Sequence, residues 1–170
     1  MLRLYSRIQT DPMDKEREFE RIVRENKDTI YTVCYMFSKD RDEVADLFQE
    51  ALVNLWKGFE RNDKYDNLRG WIYRVTLNTC ISLDRKRRGR AEVALSTGID
   101  LFDPGNENAK QADMLHSRIS RLQPFDRAIV LLWLEDISYD EIGSILGIST
   151  SNVAVRLYRI KEQLKQMSNN

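Results

Sequence analysis

Trp71, Arg74, Asn78, Ser82 and Arg85 recur at i, i+3, i+7, i+11 and i+14. On an α-helix that spacing puts a ring, two guanidinium groups, an amide and a hydroxyl on one face. A ring stacks on an unpaired base while arginines hold the backbone, so such a face suits nucleic acid, single strands above all. Just upstream, the polar stretch Arg61-Asn62-Asp63-Lys64-Tyr65-Asp66-Asn67 reads as a loop able to receive an unstacked base. A plainer reading makes Trp71 a core residue and the basic run after it a solvated helix end. This helix by itself does not choose between them.

A second constellation lies between Tyr139 and Arg159. Ser138-Tyr139-Asp140-Glu141 has the form of a capping box opening a helix whose Ile142, Ile145 and Leu146 face inward. Gly147 stops that helix and Ser149 caps the next. The spacing of Val153, Leu157, Ile160 and Leu164 gives the last helix one buried stripe. This is helix, tight turn, helix, with a basic second helix. Ser151, Val155, Tyr158, Arg159 and Glu162 then point away from the core, with Asn152 and Arg156 on the flank. Ser151 and Asn152 suit base edges and Val155 a thymine methyl. Arg156, Arg159 and Lys161 suit phosphates.

A third face is acidic. The helix from about Asp42 to Lys57 has Val44, Leu47, Phe48, Ala51, Leu52 and Leu55 as one apolar stripe. Asp42, Asp46, Gln49, Glu50 and Val53 lie opposite. A partner-binding face is the favoured reading. Helical di-metal sites add histidine from Glu-x-x-His pairs, which this helix lacks, so neither a metal nor any other cofactor is expected. The two cysteines, Cys34 and Cys80, fall in apolar helical patterns and read as buried free thiols. His116 has no catalytic company, and no nucleophile elbow, P-loop or dinucleotide fingerprint occurs. No catalytic residue is assigned, and no enzyme is expected.

The elements that position these faces are all helical. Glycine (7) and proline (3) are sparse in 170 residues, too few for the turns of a sheet-rich fold. The longest apolar run, Ala128 to Leu134, is too short to cross a bilayer, and the first residues lack a secretory h-region. The expected location is cytoplasmic. Net charge is zero, yet the charge is segmented. Residues 40–60 and 91–113 are acidic, whereas residues 82–90 and 154–165 are basic. Two basic blocks flanking an acidic connector suggest two sites on a polyanion. Helical patterning breaks only over about Gly89 to Asp113. The fold class is therefore all-α: two small helical domains joined by a flexible acidic linker. Residues 1–14 form a tail, 15–90 the first domain, 91–113 the linker and 114–167 the second domain.

These pieces, in this order, resemble a bacterial RNA polymerase sigma factor of the extracytoplasmic-function group. DEVADLFQEALVNLW (Asp42 to Trp56) is similar to the region 2 helix that binds the clamp helices of the polymerase largest subunit. GWIYRVTLNTCISLDRKRR (Gly70 to Arg88) is similar to the promoter-melting, minus-10-reading helix. Leu122 to Leu164 is similar to region 4, which reads the minus-35 element. The first twelve residues lie outside the pattern, and Met13 is an alternative start.

The resemblance implies a dissociable polymerase subunit that directs promoter-specific initiation. Its partners would be core RNA polymerase, through the clamp helices and the flap, promoter DNA, and an anti-sigma factor; no stable membrane insertion is expected. Asp42, Asp46, Gln49, Glu50 and Val53 would contact the core enzyme. Asn67, Trp71, Arg74, Val75, Asn78, Ser82, Arg85 and Arg88 would hold the minus-10 strand. Ser151, Asn152, Val155, Arg156, Tyr158 and Arg159 would lie along the minus-35 duplex. The family often has a basic residue and then serine where this chain has Ala154 and Val155, which implies a more apolar base readout. The alternatives are a helix-turn-helix regulator that binds operator duplex without polymerase, and a nucleic-acid enzyme that uses the acidic helix.

Overall fold

The computed structural model describes residues 12–61, 65–90 and 107–168. Three long helices form a first domain: α1 (Pro12–Phe37), α2 (Arg41–Arg61) and α3 (Leu68–Arg90). Four shorter ones form a second: α4 (Glu107–Ile119), α5 (Pro124–Leu134), α6 (Tyr139–Leu146) and α7 (Thr150–Gln166). Among the described residues every regular element is α-helical. None of these helices is long and apolar enough to cross a membrane.

Local chemistry sets the helix starts. Asp40 Oδ1 accepts the amides of Asp42 and Glu43 at 2.9 and 3.0 Å, so an acid closes the open end of α2. Asn67 does the same for α3, its Oδ1 accepting the Gly70 amide at 2.8 Å. The first core joins Ile30, Val33 and Cys34 of α1 to Val44, Leu47, Ala51 and Leu55 of α2 and to Ile72, Leu77 and Cys80 of α3. Each large apolar side chain buried there contributes about 1.5–3 kcal/mol. Cys34 and Cys80 are buried free thiols. Contact with Cys34, then burial, pushes the Cys80 thiol up, so it stays protonated.

Three sequence expectations change. The second helix runs on to Arg61 rather than ending near Lys57. Gly58 stays helical because Phe59 is buried and because the Trp71 ring lies against it: a Cβ at Gly58 would meet Trp71 Cζ2 at 2.9 Å. The expected linker, 91–113, overlaps α4, which begins at Glu107. Residues 91–106, with most of the acidic stretch, lie outside the described residues, as do residues 1–11. On α3 the helical spacing of Ile72, Val75, Thr79 and Leu83 predicts one buried stripe. Val75 and Leu83 are only half-buried, while Tyr73, Thr76, Leu77 and Cys80 are buried. The reason is tertiary. α3 packs on α1 and α2 on one side and on α5 and α6 on the other, so one amphipathic stripe cannot describe it.

The second domain is a tight helical cluster. Ser138 Oγ accepts the Glu141 amide, and Ser149 Oγ accepts the Asn152 amide. Gly147, at φ 73°, turns the chain in the left-handed region, and the Gly147 and Ile148 amides both donate to the Gly143 carbonyl. Gly143 must also be glycine for space, since an added Cβ would lie 2.6 Å from the Ile148 carbonyl oxygen. Thr150 Oγ1 donates to Asp140 Oδ1 at 2.6 Å, tying the starts of α6 and α7 together.

His116, on α4, is buried against α1 and hydrogen-bonds the Tyr35 carbonyl through Nε2 at 2.8 Å. A carbonyl only accepts, so Nε2 carries the proton; Nδ1 is buried without a hydrogen-bond partner. Burial holds the imidazole below its ordinary 6.5, against the opposing pull of the Tyr35 carbonyl. The unfolded chain therefore binds this proton more readily than the folded one. The stability tied to His116 should be complete above about pH 6.5 and fall as pH drops below it. Urea midpoints at pH 7.5 and 5.5 should differ more for the wild type than for His116→Asn. Equal differences would mean that the imidazole does not resist protonation.

Candidate nucleic-acid interface

The α3 face starts from an aromatic support. Phe59, Tyr65 and Trp71 pack in series, with centroids 6.3 and 4.3 Å apart, and Phe19 stacks edge-on against Trp56 beside them. The Tyr65 hydroxyl donates to the Gly58 carbonyl. Trp71 is thus partly core and partly surface. Residues 62–64 of the adjoining loop lie outside the described residues, and Tyr65 of that loop is packed inward.

Further along α3, Asn78, Ser82 and Arg85 are exposed. Asn78 and Ser82 line a groove of about 330 Å³ between α2 and α3, completed by Glu50, Asn54, Thr79 and Lys86 among others. That volume is at the lower end for small-molecule pockets. The wall is ordered by Asn54 Nδ2 donating to Thr79 Oγ1 at 3.0 Å, and by that hydroxyl donating to the Val75 carbonyl at 2.8 Å. Glu50, expected on the docking face, therefore also borders the groove that Asn78 and Ser82 line. Asn54 and Lys86 line the groove too, although neither was among the expected site residues. Asn54 is a polar residue set among apolar helical positions, and a buried or half-buried amide in such a place is the signal that could have found it.

Not all of the expected face is free. Asn67 is used twice, as the cap of α3 and as donor to Glu141 Oε1 at 3.2 Å. The Arg74 guanidinium donates to the Ser144 and Ile145 carbonyls at 2.6 and 3.2 Å. In the basic block Arg87 pairs with Glu43 of α2 at 3.0 Å. The Arg88 side chain is outside the described set.

The α7 face is open. Val153, Leu157 and Ile160 are buried, which fixes the helix's rotation. Ser151, Asn152 and Arg159 are exposed, Val155 is 50% exposed and Tyr158 68%. Arg156 is different: it pairs with Asp126 of α5 at 2.9 Å and lies over the Phe125 ring. Lys161 lies over the Trp133 ring at 4.1 Å. These two cations brace α7 against α5, whereas Arg159 is exposed on the outer face of α7. On α2, Asp42, Asp46, Gln49 and Glu50 are exposed and Val53 is 45% exposed, an outward apolar residue amid carboxylates.

Comparison with known proteins gives a consistent match. Residues 22–90 match the family described as Sigma-70 region 2, and residues 112–164 match Sigma-70, region 4. The ECF RNA polymerase sigma factor SigE of Mycolicibacterium smegmatis is 31% identical over 157 residues, covering 86% of this chain and 60% of its own length. The ECF RNA polymerase sigma factor SigW of Bacillus subtilis is 27% identical, covering 87% of each chain. Among solved structures, the sigma factor RpoE in complex with the anti-sigma factor NepR, from Bartonella quintana, superposes with a TM-score of 0.71 at 19% identity, over 90% of this chain and 98% of that one. CnrH in complex with the cytosolic domain of CnrY gives 0.67 at 19% identity, over 91% and 89%. At that identity the structural matches speak for the fold.

Proposed function

The chain belongs to the sigma-70 family, in its extracytoplasmic-function group, and from that membership we propose that it binds core RNA polymerase and directs promoter-specific initiation. The α2 face (Asp42, Asp46, Gln49, Glu50, Val53) docks on the polymerase clamp helices. The α3 face holds the melted minus-10 strand, with Asn78 and Ser82 at the groove and Trp71 and Arg85 beside it. The α7 face (Ser151, Asn152, Val155, Tyr158, Arg159) lies in the minus-35 major groove, and its domain meets the flap. An anti-sigma factor is the partner that would hold the chain back. The site of action is the cytoplasm, where the polymerase works. The role is one of binding, with catalysis left to the polymerase.

The observation that carries this reading is the coexistence, in one chain, of three separately exposed faces of distinct chemistry: carboxylate-rich, aromatic–amide and basic–apolar. The direct test is transcription from genomic fragments with core polymerase, with and without the chain. Discrete starts that need both would support it. A gel shift of duplex DNA by the chain alone, with no starts, would instead identify an operator-binding regulator.

The α7 substitutions should separate into two kinds. Arg159→Ala removes one phosphate contact, so binding weakens across sequences and the salt dependence flattens by about one unit of slope. Asn152→Ala or Val155→Ser should change the preferred upstream base, by about 1–3 kcal/mol at one base pair. Initiation by mutant holoenzyme on a randomised upstream element, at two salt concentrations, reads both. An unchanged preference in the latter two would mean another surface reads the element.

A further inference from the structure

The groove between α2 and α3 has two unlike walls. On α3, Val75 and Leu83 are half-buried and offer apolar surface for the face of a flat ring, while Lys86 is exposed and offers a cation for a phosphate. A base with its backbone phosphate needs that pairing of surfaces. On α2 the wall is made by Glu50 and Asn54, one helical turn apart. The Glu50 carboxylate, when ionised, only accepts hydrogen bonds. An amide such as Asn54 can turn either its oxygen or its amino group toward an occupant, so by itself it does not tell one base edge from another.

Thr79 removes that ambiguity. It is 6% exposed, and its single hydroxyl proton goes to the Val75 carbonyl one turn back, at 2.8 Å. Toward Asn54, 3.0 Å away, the same hydroxyl can therefore only accept, and the Asn54 group that faces it is the amino group. The amide is held in one of its two orientations. Its Oδ1 and one N–H are left for an occupant of the groove. With the two carboxylate oxygens of Glu50 one turn away, the α2 wall presents mainly acceptors.

We propose that Asn54, oriented by Thr79, is a specificity-determining residue for the melted strand: the α2 wall of the groove takes a base that carries an exocyclic amino group and rejects thymine. This rests on the reading of α3 as the face that holds the minus-10 strand. Adenine, cytosine and guanine each bring an amino group to an edge, whereas both exocyclic groups of thymine are carbonyls. Set against a carboxylate and an amide oxygen, those carbonyls meet acceptors and leave them unpaired. A site built to hydrogen-bond an N–H discriminates strongly against an occupant that lacks it. Asn54 would touch the base. Thr79, buried behind it, is a positioning residue that acts only through Asn54.

The test is initiation by holoenzyme on promoters with a randomised minus-10 element, with Glu50 left untouched because it also lies on the proposed docking face. The wild type should disfavour thymine at one position by about tenfold. Asn54→Leu should lower that preference to about twofold or less. Thr79→Val should do the same, Thr79→Ser should keep the wild-type preference, and Thr79→Val should add nothing to Asn54→Leu. A purely structural role would instead lower initiation equally on every promoter and lower the melting temperature with it. A second measurement needs no polymerase. The Asn54 side-chain amide resonances of the chain alone, identified by their loss in Asn54→Leu, should shift with a single-stranded oligonucleotide of the preferred sequence and shift less when thymine replaces the preferred base. Chain-dependent starts whose thymine tolerance is the same in wild type and Asn54→Leu would overturn the proposal and leave the polymerase reading standing. Absence of starts would count against the polymerase reading; the resonances then decide, and Asn54 signals unmoved by either oligonucleotide would overturn the proposal as well.

Discussion

Asp46→Arg combined with Gln49→Arg should abolish co-elution with core polymerase while leaving the fold intact. Both side chains are exposed on the outer face of α2. The stripe that holds the helix, Val44, Leu47, Ala51 and Leu55, is on the opposite side and fully buried. Surface changes away from a core usually shift stability by within about 0.5 kcal/mol. The binding loss should be far larger. Two carboxylate or amide acceptors become two cations facing the same partner, and like-charge juxtaposition in an interface costs several kcal/mol. The measurement pairs size-exclusion co-elution with thermal melting. A retained complex would mean that α2 is not the docking face. A lost complex with a collapsed melting transition would mean that the residues support the fold.

Asn78→Ala should strongly impair open-complex formation on duplex promoters, and a premelted bubble should restore much of it. Asn78 is exposed at the α2–α3 groove beside Ser82, where an amide can both donate to and accept from the edge of an unstacked base. Taking a base out of the stack costs a few kcal/mol, and losing a group that stabilises the extruded base leaves that cost uncompensated. A bubble has already met it, which is why rescue is expected. Permanganate reactivity of the melted strand reads the difference. Identical footprints for mutant and wild type on duplex DNA would refute a strand-holding role for Asn78. Failure of the bubble to rescue would place the defect in assembly, upstream of melting.

The helix-turn-helix was legible to the level of single residues. Ser138 and Ser149 cap, Gly147 turns, and α7 buries Val153, Leu157 and Ile160 while exposing Val155 and Tyr158. That success has a local cause. α7 packs on one side only, so a wheel gives its rotation, and capping chemistry depends on residues three positions apart. α2 was legible for the same reason, apart from its last turn, where the Trp71 ring against Gly58 is a contact between elements distant in sequence. Arg127 carried a signal that went unused. A lone cation inside PFDRAIVLLWL must be paired to be buried, and its partners, Asp84 and Phe37, come from the other domain.

The sequence by itself determined the all-α class, the two helical groups, the caps and turns, and which faces of α2 and α7 look outward, because these follow from helical period and local hydrogen bonding. Only the tertiary structure decided what the polar residues of the exposed faces are doing. Arg156 and Lys161, cations suited to phosphate, brace α7 on Phe125, Asp126 and Trp133. Asn67 and Arg74, on the same wheel as Asn78, are held by α6. α3 has two buried sides because two domains flank it. A long polar side chain can satisfy its hydrogen bonds with solvent, with its own domain, with another domain or with DNA, and its position on a helix is the same in all four cases. Which partner it takes depends on what the folded chain brings within about 3 Å of it.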